Sequence, residues 1–460
     1  MKYFTTIAVF FYFLQSSGQA ISPELFGQNF WYYGVASTSN FRTNVIGPSG
    51  ATYIRIGGIF FNEPVGNYGG WSSYFPLVKT YIVDLKSVPN RNIQPIVQVP
   101  TGNPLNSSIY NATSISDLVD ELCQNGPGNA INPTSWCNVF SIGNEPDKYS
   151  LTAQQIYNYH STLVPAIKTA YSAAPGNMGG LQILGPELTH YNTNLVPALT
   201  SGNYNILPYI DVFTVHYYPF EDQGKYLNSQ NPPQPNSALR PTRTNAIGVL
   251  RSTGLFKNDF TSSGSCLANN ITNYASIPGS VKFGITEFNI SYKSDVGLWS
   301  NNVQTSSSSY VSQGGSAANA TNDGVDGIGP QSFMAGQFYM DFISLCMSTS
   351  VRFGNFWSMQ EGTQNDAVNC LNRDYCTNIG FVNTQSGLNN FVYDHFSSIS
   401  RDMRGYYRAP AQSSFVGTNF KVFASKHCGG NVVVAMNQNK ATSLGYSPFR
   451  IQVGGPPNLT

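Results

Sequence analysis

Eight short apolar runs recur along the chain, each ending in polar or aromatic side chains, with helix-like stretches between many of them. The runs are Phe30–Ala36, Thr52–Ile59, Gln94–Val99, Val139–Gly143, Leu181–Gly185, Val212–Tyr217, Val281–Thr286 and Arg352–Trp357. Near-continuous apolar strands belong to sheets covered on both faces. Strands alternating with helices predict a parallel α/β sheet, and eight such units predict closure into a (β/α)8 TIM barrel rather than an open doubly wound sheet. Helices are expected over Ile115–Cys123, Ala153–Ala173 and Ser332–Met347. In a closed barrel the chemistry sits at the C-terminal strand ends. Here those ends carry Arg55, Gln98, Asn144, Glu145, Glu187, His216, Tyr218, Glu287, Trp357 and Gln360.

The pattern changes after a helix-like stretch at Asn389–Met403. Phe415–Ala424 and Asn431–Met436 read as strands of a small C-terminal β-sandwich-like domain over 404–460, with residues 21–29 as a candidate further strand for it. The barrel is assigned to 21–403. The first 20 residues read as a signal peptide: Lys2, an apolar core from Phe4 to Leu14, and small residues before cleavage at Ala20. Only 10% of residues are charged, so the surface must be rich in Ser, Thr, Asn, Gly and Tyr, as suits a secreted glycoprotein. A net charge of +1 supplies no field for nucleic acid, and no later run is long enough to span a membrane. Most of the seven cysteines are expected to pair in an oxidising compartment, leaving one over, most simply as Cys123–Cys137 and Cys370–Cys376. Sequons stand at Asn106, Asn111, Asn270, Asn289, Asn319 and Asn458. Two insertions, 221–242 and 300–322, would sit on the active face as lid or subsite loops.

Two of the strand ends are glutamates in specific settings. One run reads Val139-Phe-Ser-Ile-Gly-Asn-Glu145-Pro-Asp, the other Val281-Lys-Phe-Gly-Ile-Thr-Glu287-Phe-Asn. Breaking a glycosidic bond needs a proton for the departing oxygen and a partner for the oxocarbenium-like carbon. Two carboxyls supply both, and a pair about 5–5.5 Å apart implies a retaining mechanism. Five histidines without paired His/Cys spacing give no reason to expect a metal, and no cofactor is implied.

The two glutamates resemble those of the large clan of retaining barrel glycosidases, whose acid/base follows strand 4 and whose nucleophile follows strand 7. Within that clan the chain most resembles glycoside hydrolase family 79, the β-glucuronidase and heparanase-like group. Four stretches carry the resemblance: Tyr53-Ile-Arg-Ile-Gly-Gly58, Ser141-Ile-Gly-Asn-Glu-Pro-Asp147, Val215-His-Tyr-Tyr-Pro219 and Gly284-Ile-Thr-Glu-Phe-Asn289. The resemblance implies that Glu145 is the acid/base and Glu287 the nucleophile. It implies that Asn144 binds the sugar 2-hydroxyl, and that Arg55 and Tyr218 hold Glu287 ionised and aimed. Tyr292 and Lys293 are expected to meet a uronate carboxylate, and His216 to belong to the site. Trp299 and Trp357 read as either sugar platforms or core tryptophans, Trp357 and Gln360 are candidate sugar contacts, and Glu187, which matches no catalytic motif, reads as structural or substrate-facing. The expected partner is an oligo- or polysaccharide containing β-linked uronic acid. The other readings are a β-glucanase, a β-xylosidase or a non-catalytic carbohydrate-binding wall protein. The nearby charge of Glu287 predicts a raised pKa for Glu145. Strand alternation predicts that Asn289 faces the active-site wall and carries no glycan.

Overall fold

The computed structural model describes residues 21–30, 41–63, 67, 69–89, 91–102, 105–107, 109, 111–123, 137–174, 180–192, 194–218, 281–289, 333–347, 351–359, 380–381, 391–403, 407–409, 420–427 and 430–437. Eight strands close a parallel barrel in chain order. They are β1 (Gly27–Asn29), β2 (Tyr53–Ile56), β3 (Gln94–Val99), β4 (Val139–Ile142), β5 (Gln182–Leu188), β6 (Val212–Tyr217), β7 (Lys282–Phe288) and β8 (Val351–Phe356). Six helices of the described residues matter here: α1 (Trp71–Lys86), α2 (Ala112–Cys123), α3 (Ala153–Ala173), α4 (Leu195–Thr200), α5 (Phe333–Met347) and α6 (Phe391–Met403).

The first strand corrects the sequence reading. Gly27–Asn29 pairs with β2 on one side and β8 on the other, so it closes the barrel and does not join a C-terminal sheet. A three-residue Gly-Gln-Asn strand has no apolar run to announce it. Its glycine is required by close approach, because a Cβ on Gly27 would collide with the side-chain amide of Asn355. The expected first strand began at Phe30, and residues 31–36 lie outside the described residues.

Helix α3 forms where expected, for local reasons. Thr152 caps it by accepting from the Gln155 N–H, and the Gln155 side-chain oxygen accepts in turn from the Thr152 N–H, a capping box. Ile156, Tyr159, Leu163, Val164, Ile167 and Tyr171 lie on one buried face at helical spacing. Helix α1 was not anticipated, although Tyr74, Val78, Tyr81, Ile82 and Leu85 form a buried stripe at the same spacing. Its aromatic and β-branched content and Pro76 obscure that signal. At the C-terminal end β9 (Tyr407–Ala409), β10 (Phe420–His427) and β11 (Gly430–Asn437) make an antiparallel sheet ordered β11-β10-β9. Phe423 of β10 belongs to the same apolar cluster as the barrel helices.

The barrel interior is layered by strand alternation. Ile96, Val139, Leu184, Val212 and Phe353, with Tyr53 against them, form an apolar plug. Gly284 leaves room for it, since a Cβ there would press on Val212 and Phe353. Two residues further along their strands come Arg55, Gln98, Ser141, Thr214 and Asn355, all buried and all polar. The plug therefore seals the barrel beneath a polar layer that opens toward the C-terminal strand ends.

Cys137 and Cys346 are buried thiols, which sets aside the expected Cys123–Cys137 bridge. The reason is placement: Cys137 sits just before β4, with its thiol donating to the Val139 carbonyl at 3.1 Å. Cys370 and Cys376 lie outside the described residues. Among the described residues no helix is long and apolar enough to cross a membrane.

Candidate active site

Arg55 organises the mouth of the barrel. It is fully buried on β2, and each arm of its guanidinium is engaged. Nη1 donates to Glu287 Oε1 at 2.6 Å and to Asn29 Oδ1 at 3.2 Å. Nη2 donates to Asn144 Oδ1 at 2.9 Å and to Gln98 Oε1 at 3.2 Å, and lies 3.3 Å from Glu187 Oε2. Nε reaches Ser141 Oγ at 3.4 Å. Asn29 extends the network by donating to the Thr286 carbonyl at 2.8 Å. The polar layer is thus a fitted cradle for one cation.

His216 lies at the end of β6 among three carboxylates. Its Nδ1 is 3.1 Å from Glu145 Oε1 and 3.3 Å from Glu287 Oε2, and its Nε2 is 3.1 Å from Glu187 Oε2. Burial disfavours the charged ring. The Glu287 charge and the bonds to Glu145 and Glu187 outweigh burial and raise its pKa to about 10. At neutral pH His216 is therefore an imidazolium, and both ring nitrogens donate.

Glu145 and Glu287 each offer a carboxylate oxygen to one close cluster with His216, its ligand atoms all within 4.8 Å of one another. Glu145 follows β4 in the left-handed backbone region, φ 48° and ψ 52°. Its N–H donates to the Glu187 carbonyl at 2.8 Å. Its Oε2 accepts from Lys148 Nζ at 3.0 Å. Glu287 Oε2 also accepts from the Tyr218 hydroxyl at 3.1 Å. The strand register shifts between Val215 and His216 in the β6–β7 pairing, and between Ile285 and Phe288 in the β7–β8 pairing. Those irregularities let consecutive residues of β7 both serve the interior: Thr286 donates to Glu187 Oε2 at 2.6 Å while Glu287 meets Arg55.

The protonation pattern corrects the expectation for Glu145. Burial alone would raise its pKa, but the His216 hydrogen bond and the Lys148 charge outweigh burial and hold it at about 2. Glu287 is the carboxyl that is pushed up. Burial raises it, His216 and Arg55 pull it down, and the Glu145 charge pushes it up again, with a net rise. Arg55 and Tyr218 do bond Glu287, but they do not keep it more acidic than a free carboxyl. Three carboxylates (Glu145, Glu187, Glu287) face three cations (Arg55, His216, Lys148). That balance leaves a further cation little to neutralise, although Glu145, His216 and Glu287 present three close donor atoms.

Glu187 is the residue that motif reading undervalued. It is fully buried, and the sites of both its oxygens are filled. Trp357 follows β8, is buried, and its carbonyl accepts from Asn289 Nδ2 at 2.6 Å. Asn289 is fully buried, with its side-chain amide held by that bond. Tyr292, Lys293, Trp299, Gln360 and both insertions lie outside the described residues.

No family model matches the chain, and no curated protein matches its sequence. Solved structures do match in fold. A family 51 α-L-arabinofuranosidase from Bifidobacterium longum aligns with a TM-score of 0.55 and 11% identity, over 92% of this chain and 83% of its own. A bifunctional glucanase-xylanase from a metagenome library aligns at 0.53 and 12%, over 92% and 86%. A family 44 xyloglucanase from Paenibacillus polymyxa aligns at 0.53 and 12%, over 91% and 85%. At these identities the likeness is one of fold alone, the eight-stranded parallel barrel that this chain shares with them.

Proposed function

We propose that the protein is a retaining β-glycosidase, with Glu145 as acid/base and Glu287 as nucleophile. The carrying observation is the close approach of the two carboxyls at the C-terminal ends of β4 and β7, in one cluster of atoms within 4.8 Å. Inverting enzymes leave room for a water, with carboxyls roughly 6.5–9.5 Å apart, whereas a retaining pair is closer. Glu287 attacks the anomeric carbon as Glu145 protonates the departing oxygen. Water then releases the sugar with Glu145 acting as base. Asn144, fixed by Arg55, is placed beside Glu145 to bind the 2-hydroxyl.

Turnover needs Glu145 protonated and Glu287 charged, whereas the empty site lowers the Glu145 pKa and raises that of Glu287. Bound glycoside supplies the change. A leaving-group sugar displaces the Lys148 ammonium, 49% exposed, from Glu145 Oε2. Positive charge growing at the anomeric carbon favours ionised Glu287.

The substrate class we infer is β-linked glucuronic acid, in the manner of family 79. The support is the four motif stretches together with Tyr292 and Lys293 close behind the nucleophile. Low charge, the N-terminal apolar segment and the sequons support a secreted enzyme acting on extracellular glycans. The test is a panel of aryl β-glycosides. Hydrolysis of the β-glucuronide with the product first formed as the β-anomer is expected. Preference for a β-glucoside or β-xyloside would redirect the specificity, and no turnover of any member would leave a non-catalytic binding protein. If Tyr292 reads the uronate, Tyr292→Phe lowers kcat/KM on the glucuronide about ten- to a hundredfold and leaves the glucoside nearly unchanged.

A further inference from the structure

Glu187 has no motif to mark it, yet it is bonded more completely than either proposed catalytic carboxyl. It follows a cis Gly185–Pro186 bond and adopts the left-handed region, φ 59°. Its carbonyl accepts the Glu145 N–H at 2.8 Å. Its N–H donates to the Thr214 hydroxyl at 3.1 Å, and that hydroxyl donates back to its Oε1 at 3.1 Å. Its Oε2 accepts from Thr286 at 2.6 Å and from His216 Nε2 at 3.1 Å, and faces Arg55 at 3.3 Å. Both oxygens of the carboxylate are engaged, and it has no exposed surface from which to touch a substrate.

That geometry assigns Glu187 as the positioning residue of the reacting pair. It holds the Glu145 backbone directly, and it holds both reacting carboxyls through His216. The argument is one of forced orientation. With Nε2 tied to Glu187, the other ring nitrogen points between Glu145 and Glu287, at 3.1 and 3.3 Å. A ring that keeps its proton donates on both sides, whereas a neutral ring must lose one of these bonds.

The charged groups around His216 are Glu145 from the end of β4, Glu187 from β5, Glu287 from β7, and Arg55 and Lys148 just beyond them. Of the three carboxylates, only Glu187 is taken to keep its charge through the whole catalytic cycle. The other two exchange a proton or a sugar. Burial disfavours the Glu187 carboxylate, but Arg55 and the His216 hydrogen bond outweigh burial and hold it ionised. Glu187 is thus the constant counter-charge that keeps the imidazolium in place while its neighbours change state.

The kinetic consequence rests on the glycosidase reading, whereas the protonation of His216 does not. The experiment is a pH titration of ring-15N histidine signals in the full-length protein, with His216→Asn to assign the resonance. It compares wild type, Glu187→Gln, Glu187→Asp and Thr286→Val, each checked for folding by circular dichroism. His216 is expected to stay protonated in wild type and Glu187→Asp, to titrate lower in Glu187→Gln by about one unit or more, and to move less in Thr286→Val. On a hydrolysed aryl glycoside Glu187→Gln is expected to lose about tenfold or more in kcat with KM little changed. A shifted His216 in a protein inert toward every glycoside would refute the enzyme reading and keep the positioning role. Folded variants whose His216 titrates as in wild type would overturn the positioning role, and Thr286→Val carries that decision if Glu187→Gln does not fold.

Discussion

Arg55 Nη1 lies 2.6 Å from Glu287 Oε1, joining β2 to β7 across the barrel mouth in a buried ion pair. The same guanidinium faces Glu187 at 3.3 Å. Two carboxylates thus depend on one cation for their place in the interior. Arg55→Met is expected to destabilise the fold by about 3–5 kcal/mol, because it leaves buried charges without their partner. Urea unfolding measures the change. Arg55→Met/Glu287→Gln should lose less than the two single variants summed, since the uncompensated carboxylate is gone. Strict additivity would mean that the contact carries no coupling.

The roles of the two reacting carboxyls separate by chemical rescue. Glu287→Gln should abolish nearly all turnover. Glu145→Ala should do so for poor leaving groups, yet azide should partly restore activity on aryl glycosides that need no proton. The rescued product should be a β-glycosyl azide, read by NMR. An α-azide from Glu287→Ala identifies Glu287 as the nucleophile, and rescue at neither position refutes the pair.

Lys148 should set the alkaline limit of activity. Burial raises the Glu145 pKa, and His216 and Lys148 together overcome it to reach about 2. Taking away the ammonium in Lys148→Met must move the pKa upward. Because Glu145 acts while protonated, the alkaline limb of kcat/KM should move to higher pH. The ammonium is half exposed, so the shift is modest. A limb that stays in place or moves to lower pH contradicts the 3.0 Å contact as a determinant of Glu145.

His216 makes stability fall on the alkaline side. Its pKa is raised from 6.5 to about 10 on folding, so the native state binds the proton more tightly than the unfolded chain. That contribution is complete below about 6.5 and is lost as pH climbs toward about 10. The melting temperature should therefore decline across that window, and more steeply than in His216→Asn. Equal slopes in the two proteins would show that the imidazolium is not what the carboxylates stabilise.

The sequon at Asn289 should stay empty when the protein is made in a secretory host, because Asn289 is fully buried and Nδ2 donates to the Trp357 carbonyl. Asn106 is exposed and should accept a glycan. Asn289→Ala should cost about 1–3 kcal/mol by removing the buried bond to the Trp357 carbonyl. Glycopeptide mass spectrometry reads the occupancy, and an occupied Asn289 contradicts its burial.

The eight-unit barrel was legible because strand and helix periodicities are local properties of the chain. Val139–Ile142 and Val212–Tyr217 announce themselves as apolar runs, and Ala153–Ala173 as a helical stretch between them. Glu145 and Glu287 were legible too, since a carboxylate that ends a buried strand needs a reason to be there. Gly27–Asn29 was not. Three small or polar residues have no period, and only their pairing with β2 and β8 makes them a strand.

By itself the sequence determined which residues end strands and which chemistry they could perform. Only the tertiary structure decided how they charge one another. Glu187 sits 132 positions from Arg55 and 29 from His216, yet it meets both because barrel closure brings β2, β5 and β6 to a single polar layer. The same closure reversed the expected acidity of the pair. Protonation depends on distances of about 3 Å in a buried, low-dielectric site, where each neighbour counts strongly. Sequence separation carries no record of those distances, so the motifs that hold His216 and Glu145 do not tell that His216 and Lys148 keep Glu145 ionised.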